Sequence, residues 1–568
     1  MTEAPNNLGD HVQAWLDQDP DTHTSQQLTE IFGRHRGGDQ GATDELVELF
    51  GTRLAFGTAG IRGPLQPGPA GMNRVVIGQT TAGLARYLNE SAQPSASKPL
   101  RAVIGCDART NSEMFATDTA AIFSGYGIEA ILLPPFLPTP VLAFAVRYLG
   151  ADVGVMVTAS HNPPLDNGYK VYLGQKDEGS QIVPPIDSLI EAHITQVSHS
   201  ITWDIIPRST DLVRQAHPDV VEAYIAATVA SVAAKRPEGT KLSVVYTPMH
   251  GVGAGTFLAA VSAAGFPPLH SVSEQVEPDA AFPTVAFPNP EEKGALDLSF
   301  ALAREVSADL VIAHDPDADR LALALPDSGA EAGYSSLTGN QVGAILGWHV
   351  AERAKALGQH GVLANSLVSS PVLGKIAQHF GLAHEETLTG FKYVSRVPGL
   401  LFGFEEALGY LVDPEVVRDK DGISAGLMAL GLAYSMAAEG ETLADYLHQI
   451  EAAVGGFASG QITLRLESSG STPSVTDILR STPPEVLGGV AVSHLDDFEK
   501  GVGTFPVENI LRYYLADGSR VIVRPSGTEP KLKIYLDTSG DTGTDAQAGL
   551  TVLNTAVREL LETLSYRS

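Results

Sequence analysis

Cysteine is almost missing: Cys106 is the one thiol in 568 residues, which excludes an internal disulfide and any metal site built from several thiolates. As a lone residue in an apolar strand it reads as a small buried side chain. Positive charge is scarce as well. Lys and Arg number 37 against 66 Asp and Glu, a net charge of −29, so the mean field repels nucleic acid and anionic lipid. An anionic substrate would have to be held by cations and backbone donors placed locally, in a pocket rather than on a patch. Apolar runs are interrupted too: the uncharged one at residues 130–146 contains Pro134, Pro135, Pro138 and Pro140 and cannot form a spanning helix. No Lys or Arg precedes Arg34, and no apolar run accompanies it, unlike a secretory signal. These absences predict a cytoplasmic protein with neither a membrane nor a nucleic acid among its partners.

What is present is ordinary globular composition, 43% hydrophobic and 18% charged, long enough at about 150 residues per domain for about four domains. Residues 1–50 read as short polar helices whose Trp15, Leu16, Ile31, Phe32, Leu46, Leu49 and Phe50 form a modest apolar face. From Arg101 onward strand and helix alternate, with strands around Arg101–Asp107, Glu129–Pro134 and Asp152–Thr158, the pattern of a layered α/β domain. The same grammar recurs through LSVVYTPMHG, ADLVIAHD and RLALAL, and again from the helix at Gly339 through GVLANSLVSS to LLFGFEEALGY. After Gly455-Gly456 come strands joined by tight turns and a closing helix near residues 546–563, a smaller α+β domain. The expected division is a helical extension at 1–50 and domains at 51–205, 206–330, 331–455 and 456–568.

Three loops carry chemistry. Thr158-Ala159-Ser160-His161-Asn162-Pro163-Pro164 follows a strand, and its prolines forbid a helix, so Ser160 is presented rigidly. A hydroxyl there can be a covalent nucleophile or phosphate carrier, or simply bond nearby backbone. Beside it His161 is either structural or catalytic. Asn167-Gly168 predicts a turn, from which Lys170 could lean back towards Ser160 or stand solvated on a strand. Asp315-Pro316-Asp317-Ala318-Asp319-Arg320 lies between two apolar strands; alternating carboxylates can converge on one hard cation. It is no EF-hand, because Arg320 stands where that loop needs Gly and Pro326 where it needs Glu. The few carboxylates suggest Mg²⁺, with a phosphate oxygen completing its shell. In Arg524-Pro525-Ser526-Gly527-Thr528-Glu529-Pro530-Lys531, a guanidinium fork, two hydroxyls and a glycine suit a phosphate monoester. Two features are weaker. Gly251 to Thr256 resembles a dinucleotide fingerprint but ends in Thr and reads better as a strand-to-helix turn. Gly403-Phe404-Glu405-Glu406-Ala407-Leu408-Gly409 sets paired carboxylates at a strand end, a clamp for sugar hydroxyls or a solvated face.

Taken in order, these stretches, with an early Gly57-Thr58-Ala59-Gly60-Ile61-Arg62, resemble the α-D-phosphohexomutase superfamily of phosphoglucomutases and phosphomannomutases over essentially the whole chain. The resemblance implies an α/β, heart-shaped, four-domain architecture, three layered α/β domains and a smaller C-terminal α+β domain, with the active site in a central cleft. It implies an isomerase moving phosphate between O1 and O6 of a hexose phosphate, glucose or mannose, with Mg²⁺ as cofactor and glucose 1,6-bisphosphate as activator. By position, Ser160 would be the phosphoserine and, with Asp315, Asp317 and Asp319, a metal ligand. Arg62, His161, Lys170 and Arg320 would surround the transferring phosphoryl, Lys170 as acid or base. Glu405 and Gly390-Phe391-Lys392 would bind the sugar, and Arg524, Ser526, Gly527 and Thr528 the stationary phosphate. Ala407 stands where many members carry Ser, and GFEEALGY with Asp419-Lys420-Asp421-Gly422 looks more like the phosphoglucomutase-2-like and phosphopentomutase branch. A phosphopentomutase or a glucose 1,6-bisphosphate synthase is therefore the nearest alternative; a serine-dependent metal phosphatase and a non-catalytic sugar-phosphate-binding protein are more distant ones. Monomer and homodimer both remain open.

Overall fold

A computed structural model describes residues 7–58, 60–91, 99–465, 475–525 and 531–565. They form two compact units: the described part of Met1–Ser336 with Gly409–Ser435, and the described part of Leu337–Leu408 with Met436–Ser568. Among the described residues no helix is long and apolar enough to cross a membrane.

In the first unit, Arg101–Cys106 runs parallel to Glu129–Leu132 on one side and Val153–Val157 on the other. Asp166–Leu173 continues that sheet antiparallel to Val153–Val157, and Ile61–Pro64 lies antiparallel beyond it. The central strands are buried on both faces, as continuous apolar runs under helices must be. Cys106 sits in this core, where burial pushes its thiol up to about 12, consistent with the structural reading. Helices Leu8–Leu16, Thr22–Arg36 and Gln40–Gly51 bury Val12, Trp15, Leu28, Phe32 and Leu46 in the same core. Asp21 and Asp39 cap the second and third by accepting the His23 and Gly41 N–H groups, each at 2.9 Å.

The Asn167-Gly168 turn is not formed; both residues lie inside the strand Asp166–Leu173. The Asn167 side chain donates to Thr110 O at 2.8 Å and Ser112 Oγ at 3.0 Å instead of closing a hairpin. A Cβ on Gly168 would lie 2.5 Å from Thr158 O, so the glycine serves close strand approach rather than a turn.

A second sheet in the same unit pairs Leu310–His314 parallel to Val244–Thr247 and antiparallel to Leu321–Pro326. Gly251–Thr256 is the expected strand-to-helix junction, leading into the helix Gly253–Ala263. The second unit holds Val362–Ser366 between Ala383–Thr387 and Leu400–Glu405, all parallel. Its other sheet is antiparallel, with Gly456–Arg465, Lys531–Gly540, Arg520–Pro525, Leu511–Leu515 and Val490–Asp497 in spatial order. The helix Gly543–Ser565 covers one face of it, burying Leu550, Leu553, Val557 and Leu561.

Candidate active site

Two strand ends in the first unit meet head to head. Ser160 follows Val153–Val157 in the left-handed region at φ 52°, a conformation costing about 1–3 kcal/mol for a residue with a Cβ. The surroundings over-determine it. Thr158 Oγ1 accepts the Ser160 N–H at 2.9 Å, and Arg109 donates to Ser160 O at 2.7 Å, Asn162 O at 2.6 Å, Pro163 O at 2.8 Å and Asp166 O at 3.1 Å. A buried guanidinium thus satisfies four carbonyls of a loop that has no secondary-structure partner. The Ser160 hydroxyl donates to Asp315 Oδ2 at 2.8 Å and lies 3.3 Å from His161 Nδ1.

Asp315, Asp317 and Asp319 are fully buried between the strands Leu310–His314 and Leu321–Pro326, and one oxygen of each lies within 4.8 Å of the others. Ala318, at φ 52°, bends the loop so that its alternate carboxylates converge. Burial and the repulsion of Asp317 and Asp319 push the Asp315 carboxyl up to about 8. Burial and Asp319 raise Asp317, but Lys170 and Thr139 outweigh them and hold it below its ordinary value. Burial likewise opposes ionisation of Asp319, yet Lys170, Lys420 and Arg320 keep it well below its ordinary value. Lys170 does not turn to Ser160 as its position suggested; its ammonium sits 2.7 Å from Asp317 Oδ2 and 2.8 Å from Asp319 Oδ2. Burial first, then the cations Arg320 and Arg62, hold His161 well below its ordinary value and so neutral. Arg62 reaches Asn162 Oδ1 at 3.5 Å, and Arg320 donates its N–H to Asp315 Oδ1 at 3.0 Å.

The donor set suits a hard cation. Asp317 Oδ1 is buried with no hydrogen-bond partner, and Asp319 Oδ1, also without a hydrogen bond, lies 3.8 Å from Arg320 Nε, while the opposite oxygens are taken by lysines. Orphaned carboxylate oxygens in a dry interior are costly unless a cation faces them, and an all-oxygen set selects a hard one.

In the second unit Glu405 ends the strand Leu400–Glu405 and accepts the Gly390 N–H at 2.7 Å, which brings the paired-carboxylate stretch and Gly390-Phe391-Lys392 together. Glu406 turns away to Ser369, whose Oγ donates to it at 2.8 Å. Arg524 is the penultimate residue of the strand Arg520–Pro525 and lies beside the buried phenol of Tyr535, whose charged surroundings also include Glu405 and Glu406. Ala59, Ser526, Gly527 and Thr528 lie outside the described residues. Sequence reasoning did not single out Arg109, Thr139, Ser369 or Lys420 as site residues.

Four successive segments match the descriptions "Phosphoglucomutase/phosphomannomutase, alpha/beta/alpha domain I" at residues 53–200, domain II at 222–329, domain III at 338–453 and "C-terminal domain" at 485–548. A Haemophilus influenzae protein named "Probable phosphomannomutase" is 49% identical, the match covering 87% of this chain and 99% of the relative. Human phosphopentomutase is 34% identical over 94% of this chain and 92% of its own. The fold is shared with a phosphoglucomutase/phosphomannomutase family protein from Burkholderia thailandensis, at a TM-score of 0.67 and 19% identity over 90% of this chain and 96% of that one. With matched segments spanning most of its length, each containing one of the loops built above, the chain belongs to the phosphoglucomutase/phosphomannomutase family and is a phosphosugar mutase, an intramolecular phosphotransferase of the isomerase class.

Proposed function

We propose that the protein moves a phosphoryl group between O1 and O6 of glucose or mannose phosphate through phosphorylated Ser160 and a hexose 1,6-bisphosphate, in the cytoplasm. The observation that carries this reading is the 2.8 Å contact between Ser160 Oγ and Asp315 Oδ2 inside a buried carboxylate triad. A phosphoryl carrier needs a hydroxyl beside cation ligands; a protein that only binds sugar phosphates has no use for one.

Asp315, Asp317 and Asp319 would hold Mg²⁺, which when bound supplies charge to the phosphoryl oxygens. Ser160 Oγ bonds to phosphorus as the bond from phosphorus to the sugar oxygen breaks. Lys170 gives a proton to the released sugar oxygen and is recharged by the proton that leaves the Ser160 hydroxyl. The reverse transfer at the other end of the sugar restores both groups. Neutral His161, with Arg62 and Arg320, offers donors to the phosphoryl oxygens while leaving the triad's anions paired. Glu405 and Gly390-Phe391-Lys392 bind sugar hydroxyls, and Arg524 with Ser526, Gly527 and Thr528 holds the stationary phosphate.

A pentose reading is favoured by one observation, the 34% identity to human phosphopentomutase over 94% of this chain. Initial rates on glucose, mannose, glucosamine and ribose 1-phosphates, with Mg²⁺ and trace glucose 1,6-bisphosphate, decide between the two. Hexose 1-phosphates are expected to turn over fastest. Ribose 1-phosphate outpacing both would establish the pentose reading, and release of inorganic phosphate would point to a phosphatase.

A further inference from the structure

Lys420 reaches the triad from a distant part of the chain. Its Nζ lies 2.8 Å from Asp319 Oδ2, across 101 residues of sequence, on the same oxygen that Lys170 approaches at 2.8 Å. The approach is built in from several sides. Gly422 O accepts His314 Nε2 at 2.9 Å, and a Cβ at 422 would stand 2.3 Å from Arg320 O, so a side chain there would push the segment off the acidic loop. The strand Asp166–Leu173 contributes twice from one face, because its side chains repeat every two residues. Lys170 meets the aspartates, and Tyr172 donates to Asp419 Oδ2 at 2.9 Å, with Gln181 adding a second donor at 3.1 Å. The other oxygen, Asp419 Oδ1, accepts the Lys420 N–H at 2.8 Å. The Lys420 ammonium also lies 3.7 Å from Asp419 Oδ1.

Three carboxylates held this close and this dry repel one another, and Lys170, Lys420 and Arg320 are the cations set against them. Lys170 divides itself between Asp317 and Asp319; Lys420 is aimed at Asp319. A divalent cation on Asp317 Oδ1 and Asp319 Oδ1, neither of which takes part in a hydrogen bond, would share Asp319 with Lys420 and with Arg320, whose Nε lies 3.8 Å from Asp319 Oδ1, and be repelled by both.

We propose that Lys420 is a built-in counter-ion of the triad: it keeps the acidic loop formed before a divalent cation arrives and lowers the affinity of the site for that cation. It acts through Asp319 and is therefore a positioning residue. The inference rests on the metal-binding reading of the triad and is independent of the phosphoserine assignment.

The test is calorimetric titration of Mg²⁺ into the chelator-stripped full chain, with melting curves at zero and saturating Mg²⁺, for the wild type and for Lys420→Met, Lys420→Gln and Lys420→Arg. The two neutral variants are expected to bind Mg²⁺ about ten-fold more tightly, to melt lower without metal, and to regain most of that loss at saturation. Lys420→Arg keeps the charge and stays near wild type. Recovery of folding by Mg²⁺ in a neutral variant that is unfolded without it would support the same conclusion. Unchanged or weaker Mg²⁺ binding, or failure of both neutral variants to fold even in saturating Mg²⁺, would overturn it. A wild type that binds no Mg²⁺ at all would overturn the metal reading itself, an outcome distinct from failure of the counter-ion.

Discussion

The polar centres of the two units are built differently. In the first, Ser160, Lys170 and the three aspartates are at most 2% exposed, and the loops that carry them are held by Arg109, Thr158, Thr139 and Lys420. In the second, Glu405, Gly390 and Arg524 are half-buried at strand ends. Preorganised charge in a water-excluded site stabilises charge developing in a transition state, whereas groups that must admit and release a sugar phosphate need access to solvent. On the proposed function, chemistry belongs to the first centre and recognition to the second, and substitutions should separate along that line.

The largest effect is expected at Ser160. Ser160→Ala removes the proposed phosphoryl carrier and should lower turnover by about 10³-fold or more, while the fold survives because a loop hydroxyl contributes little packing. Intact-mass measurement should show a phosphate on a fraction of wild-type molecules and none on the variant; near-normal turnover of the variant would break the assignment.

Asp317→Asn comes next, and unlike Ser160→Ala it should damage stability as well. The amide is a weaker hard ligand, and it faces the Lys170 ammonium and Thr139 Oγ1 without a charge. Mg²⁺ affinity should fall by more than the roughly 10–100-fold cost of losing an outer partner, and unfolding free energy by about 3 kcal/mol. Titration calorimetry and denaturant melts read the two separately. A loss of activity with unchanged metal affinity would move Asp317 from ligand to scaffold.

Arg524→Ala probes the other centre. Loss of a charge-assisted contact to phosphate should lower kcat/KM by about 10–100-fold, with little change in melting temperature because the side chain is half-buried at a strand end. An unchanged kcat/KM for glucose 1-phosphate would remove this strand end from substrate binding.

The sequence made the architecture legible where patterns are strong: apolar strands alternating with helices, and turn-linked strands after Gly455-Gly456. It misled at Asn167-Gly168, where a dipeptide that favours hairpins is kept in a strand by contacts to Thr110, Ser112 and Thr158 that local sequence cannot show. Edge strand Ala383–Thr387, reading AHEET, has no apolar alternation to announce it, though its Glu386 pairs with both Arg512 and Arg520. Ser160 and the triad stood out because their residue types are unusual in that spacing. Arg109 did not, since its work is on backbone carbonyls and no motif encodes that; its one signal is an Asp-x-Arg turn directly after a buried strand. Lys420 stood out only as part of the Asp419-Lys420-Asp421-Gly422 wording, and its pairing with Asp319 stayed hidden because that partner is 101 residues away.

The smallest expected effect is the sharpest test of the second centre. Tyr535 lies on the strand Lys531–Gly540, in one apolar cluster with Leu367, Val368, Leu388 and Ile522, and its phenol oxygen is an acceptor beside Arg524. Tyr535→Phe keeps the ring and removes only that acceptor. Arg524 is exposed enough to be solvated instead, so no buried donor is orphaned and stability should change by no more than about 1 kcal/mol. What is lost is an acceptor that can fix the direction of the guanidinium. A fork that must meet phosphate oxygens two at a time is weakened by that freedom, so KM for the sugar phosphate should rise about five-fold with kcat nearly constant. The same substitution in an Arg524→Ala background should add nothing, because the residue through which Tyr535 acts is gone. If Tyr535→Phe instead lowers kcat with KM unchanged, or costs as much without Arg524 as with it, then Tyr535 acts on the sugar clamp through Glu405 or Glu406, and recognition and chemistry are less separate than the two centres suggest.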